Sequence, residues 1–361
     1  MTSPAYGAET PAALVHGRGE GTTGLALRSG ADGSFSLWSE AFGEGFHSGR
    51  GALREAQETF LAPSQLERFQ PGERLRVVEV CVGTGTNLAL LLEACAARGL
   101  ALEWWGLELD PRPLALALAT PEFRRPWQPA TLTVLERLRE QGRWQSHRAS
   151  ARLLWGDARQ TLAELLMERR GQVELVWHDA FSPRRCPQLW TVELLGAVTA
   201  LLTPTGRWIS YSSAAAVRET LRLRGLRVVA LESREAGEKA AAAFAGGVSG
   251  WAPARRMAWS GGTLASPTGL GAPSCGVTSL WRELTGMERD HLASSAGEPY
   301  RDPSGSGDAA TILACRQAAQ AEALASGRRA SSSAWRQRWG VGRQDREQRG
   351  PPGACRPGIE R

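Results

Sequence analysis

The sequence predicts an α/β protein with a doubly wound, mostly parallel β-sheet. Six short apolar runs occur between residues 75 and 233, and amphipathic stretches with helical spacing separate them. Continuous apolar runs are typical of strands buried on both faces, and their alternation with helices is typical of a parallel sheet. The predicted strands are 76–82, 102–109, 151–157, 173–181, 206–213 and 226–233.

The segment before the first strand has a different pattern. Residues 1–30 are rich in Gly, Ala, Thr and Ser and predict a flexible leader. In the stretch 45–69, apolar residues recur at helical spacing, and Pro71-Gly72 ends it. We therefore expect a folded domain over 31–265, with an N-terminal lid or substrate segment at 31–72 and a Rossmann-like core at 73–235.

The regular alternation stops after the sixth strand. Residues 234–275 are rich in Gly, Ala and Ser and fit either a strand with loops or a mobile segment. Helical patterns at 278–292 and 309–327 predict a C-terminal helical extension over 266–327. From Arg328 onward the chain is rich in Arg, Ser, Gly and Pro, which predicts a disordered basic tail over 328–361.

Composition limits the class of protein. The 361 residues carry a formal net charge of +6, and Lys239 is the single lysine among 43 basic residues. Codon bias is the simplest reason for this excess of arginine, although guanidinium groups also suit phosphate recognition. The six cysteines form no CxxC pair, which argues against a zinc site and against a disulfide framework. With no apolar run of membrane length and no secretory signal, we expect a metal-free cytoplasmic protein.

A glycine-rich turn, Gly83-Thr84-Gly85, follows the first predicted strand. Such a turn lets backbone amides approach a ligand at a helix N-terminus. Position 88 is leucine, so the dinucleotide fingerprint GxGxxG is not met. The acidic Glu79 before the glycines instead resembles the first motif of S-adenosylmethionine-dependent methyltransferases, in which it would face the positive end of the ligand. The alternative is a tight turn without a ligand.

Carboxylates stand at the ends of the next two predicted strands. Glu108 is placed to accept hydrogen bonds from ribose hydroxyls, with Asp110 as the alternative. Asp157 ends the third strand, where it would accept from an adenine amino group. Each residue alone would also fit a helix cap.

The fourth strand ends at His178-Asp179, followed by Phe181. Its carboxyl end is expected at the ligand crevice of an open sheet. Asp179 would hold an acceptor amine and take up its proton, while Phe181 and Trp190 would pack against a planar base. We interpret His178 as structural. The alternative is an N-cap aspartate with core aromatics.

The run 179–213 resembles the methyltransferase module of the bacterial family that makes 5-methylaminomethyl-2-thiouridine in tRNA. The resemblance includes Gly83-x-Gly85-x-Asn87, Glu108, Gly156-Asp157 and the upstream block 43–55. It spans about residues 32–235. Cys81 departs from the pattern, because it stands where the family often has a glycine.

The resemblance implies methyl transfer from S-adenosylmethionine to 5-aminomethyl-2-thiouridine at the tRNA wobble position, with Asp179 as the catalytic residue. The implied cofactor-binding residues are Glu79, Gly83, Gly85, Asn87, Glu108 and Asp157. The implied substrate-binding residues are Phe46, His47, Ser48, Phe181, Ser182, Pro183 and Trp190.

Residues 236–361 contain no second dinucleotide fingerprint, so the chain resembles the stand-alone form without the FAD module. A separate enzyme would then supply the aminomethyl group. Two alternatives stay open: an N-methyltransferase for another RNA nucleotide or a small amine, and a non-catalytic Rossmann-like RNA-binding protein. Arginines 50, 54, 184 and 185 flank the predicted site and are candidates for contact with the RNA backbone.

Overall fold

The structure is a computed structural model that describes residues 24–232, 261–270 and 280–341. Within these ranges the strands alternate with helices along most of the chain. The strands are β1 (Leu25–Ser29), β2 (Phe35–Ser39), β3 (Glu44–Gly45), β4 (Arg74–Val80), β5 (Ala101–Glu108), β6 (Arg143–Gln145), β7 (Ala149–Trp155), β8 (Val173–His178), β9 (Leu202–Ser210), β10 (Arg227–Leu231), β11 (Gly262–Ser266) and β12 (Trp281–Glu283).

The helices cover both faces of the main sheet. The first two helices along the chain, Ala52–Glu55 and Ala62–Ser64, are joined by the π-helical stretch Ala56–Leu61 into one continuous helical segment. The helices are α1 (Ala52–Glu55), α2 (Ala62–Ser64), α3 (Thr86–Arg98), α4 (Arg112–Ala119), α5 (Pro121–Arg124), α6 (Pro129–Gln141), α7 (Ala158–Arg169), α8 (Val192–Thr199), α9 (Ala215–Leu223), α10 (Gly286–Ala293), α11 (Ala309–Ala325) and α12 (Ser332–Trp339).

The main sheet has the strand order β12-β10-β11-β9-β8-β4-β5-β7-β6 in the described part of the chain. Its centre, β7-β5-β4-β8-β9, is parallel throughout. Consecutive strands run outward from β4 in both directions, so the order reverses between β4 and β8. Open sheets bind ligands outside the carboxyl ends of the strands at such a switch point. The predicted doubly wound α/β fold is confirmed.

The apolar runs of the central strands follow from burial on both faces. Val77 and Leu175 pack in a core cluster on one face, with Trp104 and Trp177. Val78 packs in the cluster on the other face. Because both faces are covered, these strands carry no polar alternation. Among the described residues, no helix combines the length and apolarity needed to cross a membrane.

The edges of the sheet differ from the sequence prediction. β11 lies between β9 and β10 and is antiparallel to both, in a stretch for which the sequence left strand and mobile segment open. Gly262 begins it because a Cβ there would lie 2.3 Å from the Ser210 carbonyl oxygen. The helix predicted over 278–292 is wrong at its start, since residues 281–283 form β12. α10 begins later, at a capping box made by Thr285 and Glu288.

Both predicted flexible ends need correction where the structure describes them. Residues 25–29 of the predicted leader form β1, which pairs with β2. Residues 332–339 of the predicted tail form α12, where Trp335 is buried and its Nε1 donates to the Met287 carbonyl oxygen at 3.0 Å. This aromatic anchor interrupts a polar composition that otherwise reads as disorder. Residues 1–23 and 342–361 lie outside the described residues.

Candidate active site

A cavity of about 360 Å³ opens at the carboxyl ends of β4, β5 and β8, beside the switch point of the sheet. The N-terminal segment closes it from the opposite side, so the wall combines two parts of the chain. Eight of the predicted site residues meet there: Phe46, His47, Ser48, Gly83, Asn87, Glu108, Asp179 and Phe181.

The loop after β4 forms one wall. Cys81 has a φ of +67°, in the left-handed region that disfavours side chains and favours glycine. Its amide donates to the Leu107 carbonyl oxygen at 2.9 Å. Gly83 also has a positive φ, of +56°, and a Cβ there would lie 3.1 Å from the ring of Phe46. The loop therefore presses its backbone closely against the N-terminal segment.

Glu108 is fixed at the end of β5 by backbone amides. Its carboxylate accepts from the amides of Gly83 at 2.9 Å and of Leu109 and Asp110 at 2.8 Å each. Burial raises the pKa of this carboxyl, and the three amides oppose that shift. The result is a rigid acceptor group on the cavity wall.

Asp179 stands at the end of β8, where its amide donates to the Val80 carbonyl oxygen at 3.0 Å. Its Oδ2 accepts from Asn87 Nδ2 at 2.8 Å. Burial raises the pKa of Asp179 to about 8, the negative charge of Glu55 adds to the rise, and the Asn87 hydrogen bond opposes it. A carboxylate with a raised pKa is suited to exchanging protons near neutral pH.

Glu55 is the second carboxylate on this wall. Its side chain is buried, and Oε2 accepts from the Ser48 amide at 3.0 Å. Within the described ranges neither Glu55 nor Asp179 forms a salt bridge. Nearby, His47 Nδ1 lies 2.9 Å from Ser36 Oγ. Burial lowers the pKa of His47, and the charges of Glu55 and Asp32 oppose that shift.

Aromatic rings also line the cavity. Phe42 stacks on Phe181 with centroids 4.4 Å apart, and Phe46 meets the same ring edge-on at 5.1 Å. Glu44 Oε2 accepts from the Ser182 amide at 3.0 Å and ties β3 to the loop after β8. The N-terminal segment and the Asp179 loop thus form one structural unit.

Sequence reasoning missed Glu55, Phe42 and Glu44 as site residues. Both glutamates lie in the block 43–55, which is part of the family resemblance. The resemblance could therefore have indicated them, but it assigned them no role. The cavity wall also includes two thiols, those of Cys81 and Cys186. Burial raises the pKa of both, well above its ordinary value for Cys81 and to about 12 for Cys186.

Six predicted site residues lie away from the cavity wall: Glu79, Gly85, Asp157, Ser182, Pro183 and Trp190. Their predicted roles, like those of the eight at the wall, stay predictions.

Two of these six have other partners in the structure. Asp157 caps α7 by accepting from the Arg159 amide at 2.9 Å, and it pairs with the Arg159 guanidinium at 2.6 Å. Glu79 is fully buried and accepts from Trp104 Nε1 at 3.0 Å, while its Oε1 has no hydrogen-bond partner among the described residues.

Trp190 supports the loop from behind instead of walling the cavity. It is fully buried, and its Nε1 donates to the Phe181 carbonyl oxygen at 2.8 Å. Tyr211 lines the cavity, and its hydroxyl donates to the Ala180 carbonyl oxygen at 2.8 Å. His178 packs between Trp190 and Trp208, and burial lowers its pKa to about 3. These contacts hold the Asp179 loop in place.

Comparison with known proteins gives consistent matches. A family model for S-adenosyl-L-methionine-dependent methyltransferases matches residues 121–245. The tRNA 5-methylaminomethyl-2-thiouridine biosynthesis bifunctional protein MnmC of Azoarcus sp. is 32% identical over 206 residues, which are 53% of this chain and 31% of that protein. The MnmC protein of Pseudomonas aeruginosa strain UCBPP-PA14 is 32% identical over 200 residues, or 51% of this chain and 29% of that protein.

Among solved structures, MNMC2 from Aquifex aeolicus matches with a TM-score of 0.65 and 26% identity, over 83% of this chain and 86% of that one. The fold, the cavity and these matches define an S-adenosylmethionine-dependent methyltransferase. It is related to the methyltransferase part of the MnmC proteins, and the resemblance seen in the sequence motifs is confirmed. The chain spans about a third of the length of those bifunctional relatives.

Proposed function

We propose that this methyltransferase transfers the methyl group to the primary amine of 5-aminomethyl-2-thiouridine at the wobble position of tRNA, giving 5-methylaminomethyl-2-thiouridine. The observation that carries this proposal is the pair of carboxylates, Asp179 and Glu55, in a cavity that stacked aromatic rings also line. A cationic amine attached to a planar base matches both surfaces. The particular nucleoside comes from the similarity to the MnmC proteins, which are named for its biosynthesis.

The residues at the β4 and β5 ends fit S-adenosylmethionine. Glu108 offers a carboxylate that three amides hold rigid and that retains acceptor capacity for hydroxyl groups. Gly83 brings its backbone close without a side chain, and Asn87 adds an amide at the start of α3. When bound, the cofactor supplies a methyl carbon activated by the adjoining positive sulfur.

The acceptor side acts on the amine. At neutral pH a primary amine is largely protonated to an ammonium ion. Only the deprotonated amine has the lone pair needed for attack. In its ionised form Asp179 accepts a proton from that nitrogen before the attack. The N–C bond then forms as the methyl–sulfur bond breaks, and Glu55 stabilises the positive charge that the nitrogen carries afterwards. Asn87 orients Asp179 through the 2.8 Å hydrogen bond. Positioning of this kind contributes on the order of 7–11 kcal/mol in well-oriented reactions.

The base would lie against Phe42, Phe46 and Phe181, because planar rings bind one another by stacking and edge contacts. A second candidate function is methylation of an amine on another RNA nucleotide or on a small molecule. The carboxylate pair favours it equally, since these groups recognise the amine and not the rest of the acceptor.

The test is transfer of labelled methyl from S-adenosylmethionine into two tRNA preparations that differ only in the wobble aminomethyl group, followed by nucleoside analysis. We expect 5-methylaminomethyl-2-thiouridine from the aminomethyl tRNA and no label in the other. Equal labelling of both preparations, or labelling of small amines alone, would contradict the proposed acceptor. Glu67→Gln, in an exposed residue away from the cavity, serves as a handling control.

A further inference from the structure

The outside of the cavity differs in charge from its inside. The wall carries acidic groups, but the turn after the Asp179 loop carries two exposed arginines, Arg184 and Arg185. The turn is fixed, because the amides of Arg185 and Cys186 donate to the Ser182 carbonyl oxygen at 2.8 and 2.9 Å. The backbone that carries the two arginines is therefore rigid, and it lies a few residues after Asp179.

Arg185 lies at the mouth of the cavity. Its guanidinium carbon is 3.6 Å from the position that a Cβ would take at Gly43. Gly43 sits between Phe42 and Glu44, which both line the cavity. The positive charge thus covers the backbone of the N-terminal segment where that segment meets the opening.

The positive surface continues toward the C-terminal part of the chain. Burial raises the pKa of the Tyr300 phenol, and the nearby charges of Arg316 and Arg184 oppose that rise. Tyr300 is anchored at the start of α8, where its carbonyl oxygen accepts from the Val192 amide at 2.9 Å. The next residue, Arg301, is exposed. We name Arg184, Arg185 and Arg301 the basic rim.

The basic rim differs from the other arginines near the site. Arg50 and Arg54, which the sequence also suggested for RNA contact, pair with Glu58 at 3.3 and 3.0 Å. The rim arginines form no ion pair with a carboxylate in the ranges that the structure describes. Their charge is therefore available to an external anion, whereas that of Arg50 and Arg54 is largely neutralised.

We propose that the basic rim binds backbone phosphates of the RNA strand whose base enters the cavity; this rests on the proposed function, in which the acceptor is an RNA nucleoside. Guanidinium groups bind phosphate oxygens in a bidentate manner. Phosphate contacts position a nucleic acid without reading its sequence. The rim would hold the strand outside while the acidic wall receives the uncharged base and its amine.

The experiment compares two triple variants of equal charge. R184A/R185A/R301A removes the rim. R98A/R148A/R170A removes three exposed arginines at the opposite edge of the sheet, at the end of α3, before β7 and at the end of α7, and none of these has an ion pair in the described ranges. Binding of a labelled anticodon stem-loop RNA is followed by fluorescence anisotropy from 50 to 300 mM salt. Binding of S-adenosylmethionine is measured by calorimetry as a check on folding.

We expect the rim variant to lose roughly tenfold or more in RNA affinity, and its salt slope to fall by about 2, near 0.7 for each lost contact to a single strand. Cofactor affinity stays within a few fold, and the opposite-edge variant keeps most of its RNA affinity. Equal losses in both variants, or no loss in either, would overturn the basic rim while leaving the proposed acceptor untouched. A wild-type chain that methylates small amines but does not bind the stem-loop would overturn both.

Discussion

Two carboxylates set into this protein, Asp179 and Glu288, have opposite surroundings. Glu288, on α10, is buried and accepts from Arg218 at 3.0 Å and from Arg282 at 2.5 Å. Burial alone would raise its pKa, but the Arg282 and Thr285 hydrogen bonds and the charge of Arg218 lower it to about 2. Asp179 has no cation beside it in the described ranges, and its pKa rises to about 8.

The difference distinguishes a carboxylate that stabilises the fold from one that is available for proton transfer or ligand binding. A carboxylate with matched cations stays ionised and stabilises the fold around it. One that is enclosed without a cation is ready to take up a proton or a cationic ligand, and such groups are typical of functional sites. Glu288 with its arginine partners therefore stabilises the fold, whereas a role for Asp179 and Glu55 in the reaction is part of the proposed function. Substitutions on the two sides should consequently affect different measurements.

The largest expected effect is on turnover. Asp179→Asn should lower kcat by about 100- to 10,000-fold, because the amide keeps the shape but cannot accept the proton. Cofactor affinity should stay within a few fold, and the free energy of unfolding should not fall, since an enclosed charge without a cation is removed. Single-turnover methylation measures the rate, and calorimetry measures the cofactor affinity. Normal turnover by this variant would remove Asp179 from the mechanism.

For the ion-paired carboxylate, Glu288→Ala should lower the free energy of unfolding by about 3–5 kcal/mol, because it removes the carboxylate that balances the charge of the buried Arg218 guanidinium. Denaturant titration measures the loss. The control is Asp290→Asn, which breaks the exposed pair with Arg338 at 3.0 Å and should cost about 1 kcal/mol or less. Similar losses in both variants would contradict the structural role given to the buried pair.

The smallest effect, taken per pH unit, is in the pH dependence of stability, where the two carboxylates act with opposite sign. The folded pKa of Asp179 lies above its ordinary value of 3.8, so stability falls as pH rises from about 4 to about 8. The folded pKa of Glu288 lies below 4.5, so its contribution is lost as pH falls toward 2.

Asp179→Asn should therefore flatten the decline between pH 4 and 8 by less than about 1.4 kcal/mol per pH unit, the limit for one proton. The variant should leave unchanged the loss of stability below pH 4, which depends on Glu288. Denaturant titrations at a series of pH values measure the stability in both ranges. An unaltered slope above pH 4 would show that Asp179 titrates normally in the folded protein.

The sequence predicted the position of a site residue best where that residue directly follows a β-strand. Glu108 and Asp179 were found because parallel strands bring their carboxyl ends to one edge, so position along the chain implies position in space. Glu55 comes from a helix with no such rule, and its distance from Asp179 depends on how the N-terminal segment packs. The sequence could not show that Trp190 lies behind the loop and away from the cavity wall, since an aromatic near a site supports a loop as readily as it contacts a ligand. β11 escaped clear prediction because its strand is only five residues long within a glycine-rich stretch.

The two thiols in the cavity wall have a consequence for a protein that handles an alkylating agent. Sulfur is the strongest nucleophile among these side chains, but it attacks as the thiolate and not as the thiol. Because the pKa of Cys186 is about 12 and that of Cys81 is also well above its ordinary value, both remain protonated at neutral pH. Protonated thiols are poor nucleophiles, so we expect the cavity wall not to compete with the acceptor for the methyl group.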